Sequence, residues 1–168
     1  LASALTPSAF GNDSLKAEEG REFEIGFDGS FFNDVVGLEV TYYHNVTRDA
    51  LLPVPVAPST GFTGSVLRNA GEIKNTGFEA QLLATPVRKP SLTWDAALVF
   101  STNKNELVSL GGSRGDLPYI PVGYRNSQRH QEGYPLAGYF AEEIQYDDEG
   151  NMILDEDGMP VFGEDMVY

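Results

Sequence analysis

The chain has 168 residues, with 11 Lys and Arg against 25 Asp and Glu, a formal net charge of −14 at pH 7 and no cysteine. Without cysteine there is no disulfide framework, thiolate metal site or cysteine nucleophile. The acidic balance argues against nucleic-acid binding, because affinity for a phosphate backbone comes from clustered Lys and Arg. The sequence has no initiator Met or signal segment, so we expect a truncated piece of a longer protein.

The charge is unevenly distributed along the chain. Residues 130–168 hold 11 acidic residues and no Lys or Arg, which leaves 14 acids and 11 bases in residues 1–129. The longest uncharged run, 50–67, contains Pro53, Pro55 and Pro58, which break helical geometry and predict an extended loop. With no helical span predicted, two classes stay open, a soluble protein or a membrane β-barrel.

A linker over residues 1–21 is followed by the first predicted hairpin. Residues 22–32 alternate strictly, with Phe23, Ile25 and Phe27 on one face and acidic or small residues on the other. This period of two predicts a strand. A second alternating run, 37–52, follows a short turn, so the two strands should pair antiparallel.

The second predicted hairpin repeats this pattern. Residues 76–86 and 91–103 each alternate apolar with polar side chains and are separated only by Pro86 to Pro90. A long loop over about 53–75 joins the two hairpins. The four strands therefore occupy most of residues 22–105, with short connections at one end and long ones at the other.

Residues 106–168 are predicted to form a long acidic loop. Apolar triplets separated by Asp- and Gly-rich clusters predict a small β-meander near its end. The cluster 147–151 also suggests a calcium site, but its residues do not match the ligand positions of an EF-hand loop. Ordinary hairpin turns explain this cluster better.

Two all-β architectures fit this layout. Strands of this length cross a bilayer when tilted, and alternating short and long connections are typical of outer-membrane barrels. A soluble extracellular β-sandwich, acting as a binding module, has the same alternation. The two are distinguished by the environment of one set of side chains, which face lipid in a barrel and form a dry core in a sandwich: Phe23, Ile25, Phe27, Leu38, Val40, Leu82, Trp94 and Leu98.

Four sequence pieces resemble one family in the same order and spacing. The most specific is the stretch NAGEIKNTGFE at residues 69–79. The others are Tyr-Tyr followed by TRD (42–49), Trp94 followed by STNKN, and GYPL at 133–136. Residues 15–168 resemble the later part of the barrel of TonB-dependent outer-membrane receptors of the SusC/RagA type.

The resemblance implies an all-β fold, in which about four antiparallel strands in two hairpins form part of an incomplete transmembrane β-barrel with long extracellular loops. It also implies location in the bacterial outer membrane, contact with its lipid, a SusD-like surface lipoprotein and the TonB complex as partners, and import of glycans, oligosaccharides or peptides. The resemblance also implies a plug domain, which we expect to lie outside these residues. The resemblance implies neither enzymatic activity nor a cofactor.

The residues themselves show no catalytic constellation. His44 and His130 are the only histidines, and neither has a metal-ligand partner at the spacing of known motifs. Aromatic and guanidinium groups concentrate in residues 104–140, and such groups suit sugars or peptides. The candidate ligand-binding residues are Tyr119, Tyr124, Arg125, Arg129, Tyr134 and Tyr139. The alternative is that these side chains pack only against neighbouring loops.

Overall fold

The computed structural model describes residues 10–61, 64–111, 118–123 and 127–168. Within those ranges its strands are β1 (Glu19–Phe31), β2 (Val36–Arg48), β3 (Leu51–Pro55), β4 (Ser65–Asn69), β5 (Glu72–Lys89), β6 (Leu92–Ser109), β7 (Ile120–Val122), β8 (Gln128–His130), β9 (Gly138–Tyr139), β10 (Ala141–Ile144) and β11 (Phe162–Val167). No helix in the described ranges is long and apolar enough to cross a membrane.

The main body is an open four-stranded antiparallel sheet in the order β1-β2-β5-β6. Short turns join β1 to β2 and β5 to β6 at one end, which we call the turn end. In the first turn Phe32, Asn33 and Asp34 all have positive φ. The long connections lie at the opposite end, which we call the loop end. The prediction of two antiparallel hairpins in an incomplete all-β barrel is confirmed.

The register of the sheet sorts the side chains into two continuous faces. One row across the four strands is Phe27, Val40, Ala80 and Phe100, and the next is Gly29, Leu38, Leu82 and Leu98. The rows between them carry Asp28, Glu39, Gln81 and Val99, or Gly26, Thr41, Glu79 and Ser101. Because alternate side chains point to opposite sides of a sheet, the sheet has one apolar face and one largely polar face.

The apolar face is open rather than packed. Phe27 is 55% exposed and Leu98 is 66% exposed. Phe23, Ile25, Leu82 and Trp94 are likewise exposed, and Leu38 and Val40 are only partly buried. A sandwich would bury all eight of these side chains in its core, so their environment contradicts the sandwich alternative and fits strands that face lipid.

The buried core lies instead at the loop end. β3 and β4 form a hairpin beside the ends of β5 and β6. The core cluster consists of Ala50, Leu52, Val54, Ala70, Ile73, Leu107, Leu110 and Ile120. The connection predicted as a long loop over 53–75 therefore contains a hairpin that contributes to the core. Its prolines are tolerated because edge strands do not need every N–H donor.

Several strands are longer than their alternation predicted. β5 runs from Glu72 to Lys89 through Pro86, which lies at a bulge where no ladder donor is required. β6 extends to Ser109 because Leu107 packs into the core. β2 stops at Arg48, where Asp49 adopts a positive φ of 53°. The division of the chain into linker, barrel wall and extracellular loop stays a prediction.

A glycine on the polar face marks a close approach. A Cβ added at Gly77 would collide with the ring of Tyr43 and with the carbonyl oxygen of Thr102. Tyr43 is the cross-strand partner of Gly77, so its ring covers the space that a side chain would take. The glycine of the NTGFE motif therefore allows an aromatic ring to lie flat across the polar face.

The acidic segment after β10 forms a small closed unit. Gln145 donates its N–H to Val161, Ile153 donates to Gln145, and Val161 donates to Ile153, each at 2.9 Å. These three residues lie eight positions apart, and each both donates to one neighbour and accepts from the other. These three hydrogen bonds join the apolar triplets that the sequence predicted to form a meander. They connect the triplets in a closed circle rather than in a row.

Candidate functional site

The candidate ligand-binding loop is fastened to the end of β6. Leu107 donates its N–H to the carbonyl oxygen of Tyr134, and Gly133 donates to that of Leu107, both at 2.8 Å. Leu136 donates its N–H to Asn105 Oδ1 at 2.7 Å. The GYPL motif thus fixes the loop against the loop end of the sheet.

The asparagine that receives the loop belongs to a cross-strand row on the polar face. Asn45, Asn75 and Asn105 are consecutive partners in the register of β2, β5 and β6. Asn105 Nδ2 donates to Asn75 Oδ1 at 2.7 Å. Since Asn105 offers both a donor and an acceptor, it can bond the sheet and the loop at once. The loop is therefore held on the polar side of the sheet.

Aromatic rings and a guanidinium group stack above this attachment. The Arg129 guanidinium carbon lies 4.2 Å from the ring centre of Tyr119 and 5.2 Å from that of Phe140. Tyr134 meets Phe140 edge to face with ring centres 5.1 Å apart, and Tyr168 lies 5.2 Å from Tyr134. Such cation–π and aromatic contacts hold the group as one unit, which we call the aromatic–arginine cluster.

The cluster unites three of the six residues predicted to bind ligand, namely Tyr119, Arg129 and Tyr134. Tyr139 is 71% exposed and takes no part in the stack described above. Tyr124 and Arg125 lie outside the described residues. Phe140 and Tyr168 were not predicted, because nothing in their sequence context brings them to Arg129. Ligand binding by any of these residues stays a prediction.

His130 holds the candidate ligand-binding loop through a buried hydrogen bond to Ala137. It is buried, with 8% of its surface exposed, and its Nδ1 accepts the N–H of Ala137 at 3.1 Å. Ala137 has a positive φ of 52°, a conformation that needs support from its surroundings. Desolvation by burial lowers the pKa of His130 below its usual value of 6.5. The ring is therefore neutral at neutral pH and accepts a hydrogen bond through Nδ1.

The loop is expected to loosen as the pH falls below about 6.5. The opened loop binds a proton more readily than the closed one, so closed-loop stability is complete above that pH and declines below it. Hydrogen exchange of residues 128–140 at pH 7.5 and pH 5 measures this, with an expected loss on the order of 1 kcal/mol. His130→Asn keeps an acceptor without titrating and should flatten the pH dependence. Equal protection of the wild-type loop at both pH values would contradict the expectation.

The Asp-rich turns use their carboxylates internally. Asp147 Oδ1 accepts the N–H groups of Glu149 at 3.0 Å and Asn151 at 2.8 Å. The backbone N–H of Asn151, followed by its side-chain amide, holds the pKa of Asp147 below its usual value. Asp155 repeats the arrangement eight residues later with Asp157 and Met159. In the described ranges, no three His, Cys, Asp or Glu residues are grouped to hold a metal ion.

The chain is similar in sequence to TonB-dependent receptors. Residues 2–150 match the family model described as TonB dependent receptor-like, beta-barrel. TonB-dependent receptor P26 of Formosa agariphila is 39% identical over 101 residues, covering 60% of this chain and 10% of that protein. TonB-dependent receptor P3 of the same organism is 31% identical over 141 residues, covering 81% of this chain and 14% of that protein.

Solved structures give the same result. The RagAB peptide transporter matches with a TM-score of 0.71 and 27% identity, over 84% of this chain and 15% of that chain. The RagAB peptide importer in its closed-closed state matches with a TM-score of 0.72 and 26% identity, over 94% and 18%. The sheet and its open apolar face define a stretch of outer-membrane β-barrel wall. The chain belongs to the TonB-dependent receptor β-barrel family, and the resemblance to the SusC/RagA type is confirmed.

Family membership assigns directions to the two ends and faces of the sheet. Receptors of this family lie in the outer membrane, where barrels have short periplasmic turns and long extracellular loops. The turn end is therefore periplasmic and the loop end extracellular. The apolar face contacts lipid, and the polar face lines the lumen. The chain spans only 10% to 14% of the length of the two Formosa receptors.

Proposed function

We propose that this chain is part of a TonB-dependent active transporter that imports peptides or oligosaccharides across the outer membrane. The observation that carries the proposal is the position of the aromatic–arginine cluster. It stands at the extracellular end of the barrel wall and is tied to the lumen face through Asn105. A ligand that enters the lumen from outside would pass this point.

The chemistry of the cluster supports a ligand with both flat or apolar groups and acceptor oxygens. Tyr119 and Tyr134 offer ring faces and hydroxyl groups, and Arg129 offers several N–H donors in a planar fork. Peptides carry carboxylates and carbonyl oxygens that match this fork. Because the neighbours in the solved structures are described as a peptide transporter and importer, we favour peptides over oligosaccharides. A SusD-like surface lipoprotein and the TonB complex are the proposed partners, and we propose no catalytic role.

An uptake experiment tests the transport function. Cells that carry the full-length receptor are compared with a deletion strain for uptake of labelled peptides and of labelled oligosaccharides. We expect peptide uptake to be lost in the deletion strain and to stop when a protonophore removes the energy supply. Unchanged uptake of both ligand classes in the deletion strain would contradict the proposal. Loss of oligosaccharide uptake alone would assign the other substrate class.

The role of the cluster is tested by binding. Arg129→Ala in the full-length receptor should weaken peptide binding about tenfold, because a charge-assisted hydrogen bond is lost. Arg88→Ala, at the periplasmic end of β5, removes the same side chain far from the cluster and should leave binding unchanged. Isothermal titration with a peptide mixture gives both values. Equal affinity of the two variants would show that Arg129 only packs the loop.

A further inference from the structure

A cavity of about 680 Å³ lies at the extracellular end of the sheet, between the segment that precedes β1 and the β3–β4 hairpin. Residues 10–16 form one wall, residues of the hairpin form the other, and Asp49 lies beside both. A cavity of this volume can hold a small ligand or the end of a longer one. Of the described residues that line it, none belongs to the aromatic–arginine cluster, so the cavity is a separate place for a ligand.

Two asparagines hold the walls of the cavity together. Asn69 Oδ1 accepts the N–H of Lys16 at 2.8 Å, and its Nδ2 donates to the carbonyl oxygens of Lys16 at 2.9 Å and Asp49 at 2.8 Å. Asn12 Nδ2 donates to the carbonyl oxygen of Leu67 at 3.0 Å. These bonds fix the segment before β1 against the hairpin, so the cavity is built into the fold before any ligand binds.

The cavity lies on the lumen side of the extracellular end. Val66 lines it and is the direct cross-strand partner of Val54, which is buried in the core. Residues directly opposite in an antiparallel pair point to the same face, so the cavity and the core share one face of the hairpin. The core itself lies on the lumen face of the main sheet, because Leu107 is two positions from Asn105 on β6. A ligand entering the lumen would therefore reach this cavity.

The charges that line the cavity are not balanced among themselves. Within the described residues, no ion pair or hydrogen bond uses the side-chain charges of Asp13, Lys16 or Asp49, since the bonds of Lys16 and Asp49 named above are made by backbone atoms. Arg68, the remaining charged residue of the lining, already has an interaction partner. The charges left for a ligand are thus two carboxylates and one ammonium group.

We propose that this cavity binds the N-terminal ammonium group of a peptide. An ammonium group carries three N–H donors, and the carboxylates of Asp13 and Asp49 can accept them in charge-assisted hydrogen bonds. The ammonium of Lys16 can donate to the first carbonyl oxygen of the same peptide. A neutral oligosaccharide would leave the two carboxylates without a countercharge. The inference rests on the proposed import of peptides and adds which end of the peptide this cavity holds.

The test compares tetraalanine with N-acetyl-tetraalanine, each titrated calorimetrically into the full-length receptor in mild detergent. Both peptides keep the carboxylate end that suits Arg129, and only the first carries an ammonium group. Wild type should bind the free peptide about tenfold more tightly, because acetylation removes a charge-assisted hydrogen bond. The double variant D13N/D49N should bind both peptides alike. Asparagine is nearly isosteric with aspartate and tolerates the positive φ of 53° at position 49.

The matched control is D28N/D34N, which makes the same two changes at the periplasmic end of the sheet, where position 34 also has a positive φ. It should keep the tenfold preference for the free peptide. The preference is a ratio measured on one preparation, so a fraction of misfolded receptor does not change it. A shift in gel mobility on heating confirms that each variant has a folded barrel.

The outcomes separate this inference from the proposed function. Equal affinity of the wild type for both peptides, or a tenfold preference retained in D13N/D49N, would overturn the inference while peptide binding itself stands. Displacement of tetraalanine by the neutral tetrasaccharide maltotetraose would also overturn it, because the cavity would then accept an uncharged ligand. Failure of the wild type to bind either peptide would contradict the proposed import of peptides together with the inference that rests on it.

Discussion

Phe27→Arg is expected to block assembly of the receptor in the outer membrane. Phe27 lies midway along the lipid-facing positions of β1 between Phe23 and Phe31, and its side chain is 55% exposed. An arginine near the bilayer midplane of a β-barrel costs about 2–4 kcal/mol. The equilibrium constant for folding into the bilayer should therefore fall about 30- to 1,000-fold relative to wild type.

The measurement is the fraction of heat-modifiable receptor in isolated outer membranes, followed by urea titration of barrels folded into liposomes. The matched control is Gln81→Arg on β5. Gln81 follows Ala80, which shares a row with Phe27, so the control introduces the same side chain at nearly the same level but on the lumen face. We expect this control to assemble normally because the lumen is wet. If both variants assembled alike, the assignment of lipid and lumen faces would be wrong.

Leu107→Ala is expected to destabilise the extracellular core without preventing membrane insertion. Leu107 is fully buried, and its backbone also bonds Gly133 and Tyr134 of the candidate ligand-binding loop. Truncating a buried leucine leaves a cavity and costs about 2–5 kcal/mol. The loss should release the loop together with the aromatic–arginine cluster, because both depend on the position of this strand end.

Hydrogen exchange of residues 128–140 measures this loss, while gel mobility on heating reports the barrel itself. Val108→Ala is the matched control, since Val108 is the next residue, points to the opposite face and is 41% exposed. A surface truncation of this kind is expected to change stability by about 0.5 kcal/mol or less. Equal exchange in both variants would show that the core cluster does not hold the loop.

The Phe27 variant tests the part of the chain within the membrane, and the Leu107 variant tests the extracellular part. Among the described residues, the layer within the membrane has no dry core, and its apolar side chains are stabilised by lipid. Nine residues from Leu92 to Phe100 reach about 30 Å along β6, and strand tilt reduces this to nearly the 25 Å height of an apolar belt. The extracellular layer is held by ordinary packing around Leu107 and Ile120. Its stability should therefore respond to truncation of buried side chains.

The sequence by itself determined the strands and their faces. Residues 23–28 alternate apolar side chains with acidic residues or glycine. Because the side-chain period of a strand is two, this alternation fixes which side chains share a face, whichever strand pairs with it. Two short connections and alternating strands were sufficient to predict two hairpins. The motif around Gly77 carried the family resemblance, and the ring of Tyr43 gives a physical reason for its glycine.

Only the tertiary structure decided which residues meet across long separations in the chain. Arg129 contacts the rings of Tyr119 and Phe140, and Tyr168 contacts Tyr134, through contacts that no local period encodes. The same holds for the hairpin of β3 and β4. Its prolines predicted an extended loop, but the structure pairs these residues in a two-stranded sheet, where edge positions tolerate proline. Arg21 and Lys74 lie 53 positions apart in sequence and share a row only because β2 pairs with both β1 and β5. Alternation depends on backbone geometry alone, whereas these contacts depend on strand register, which is set by the packing of the whole sheet.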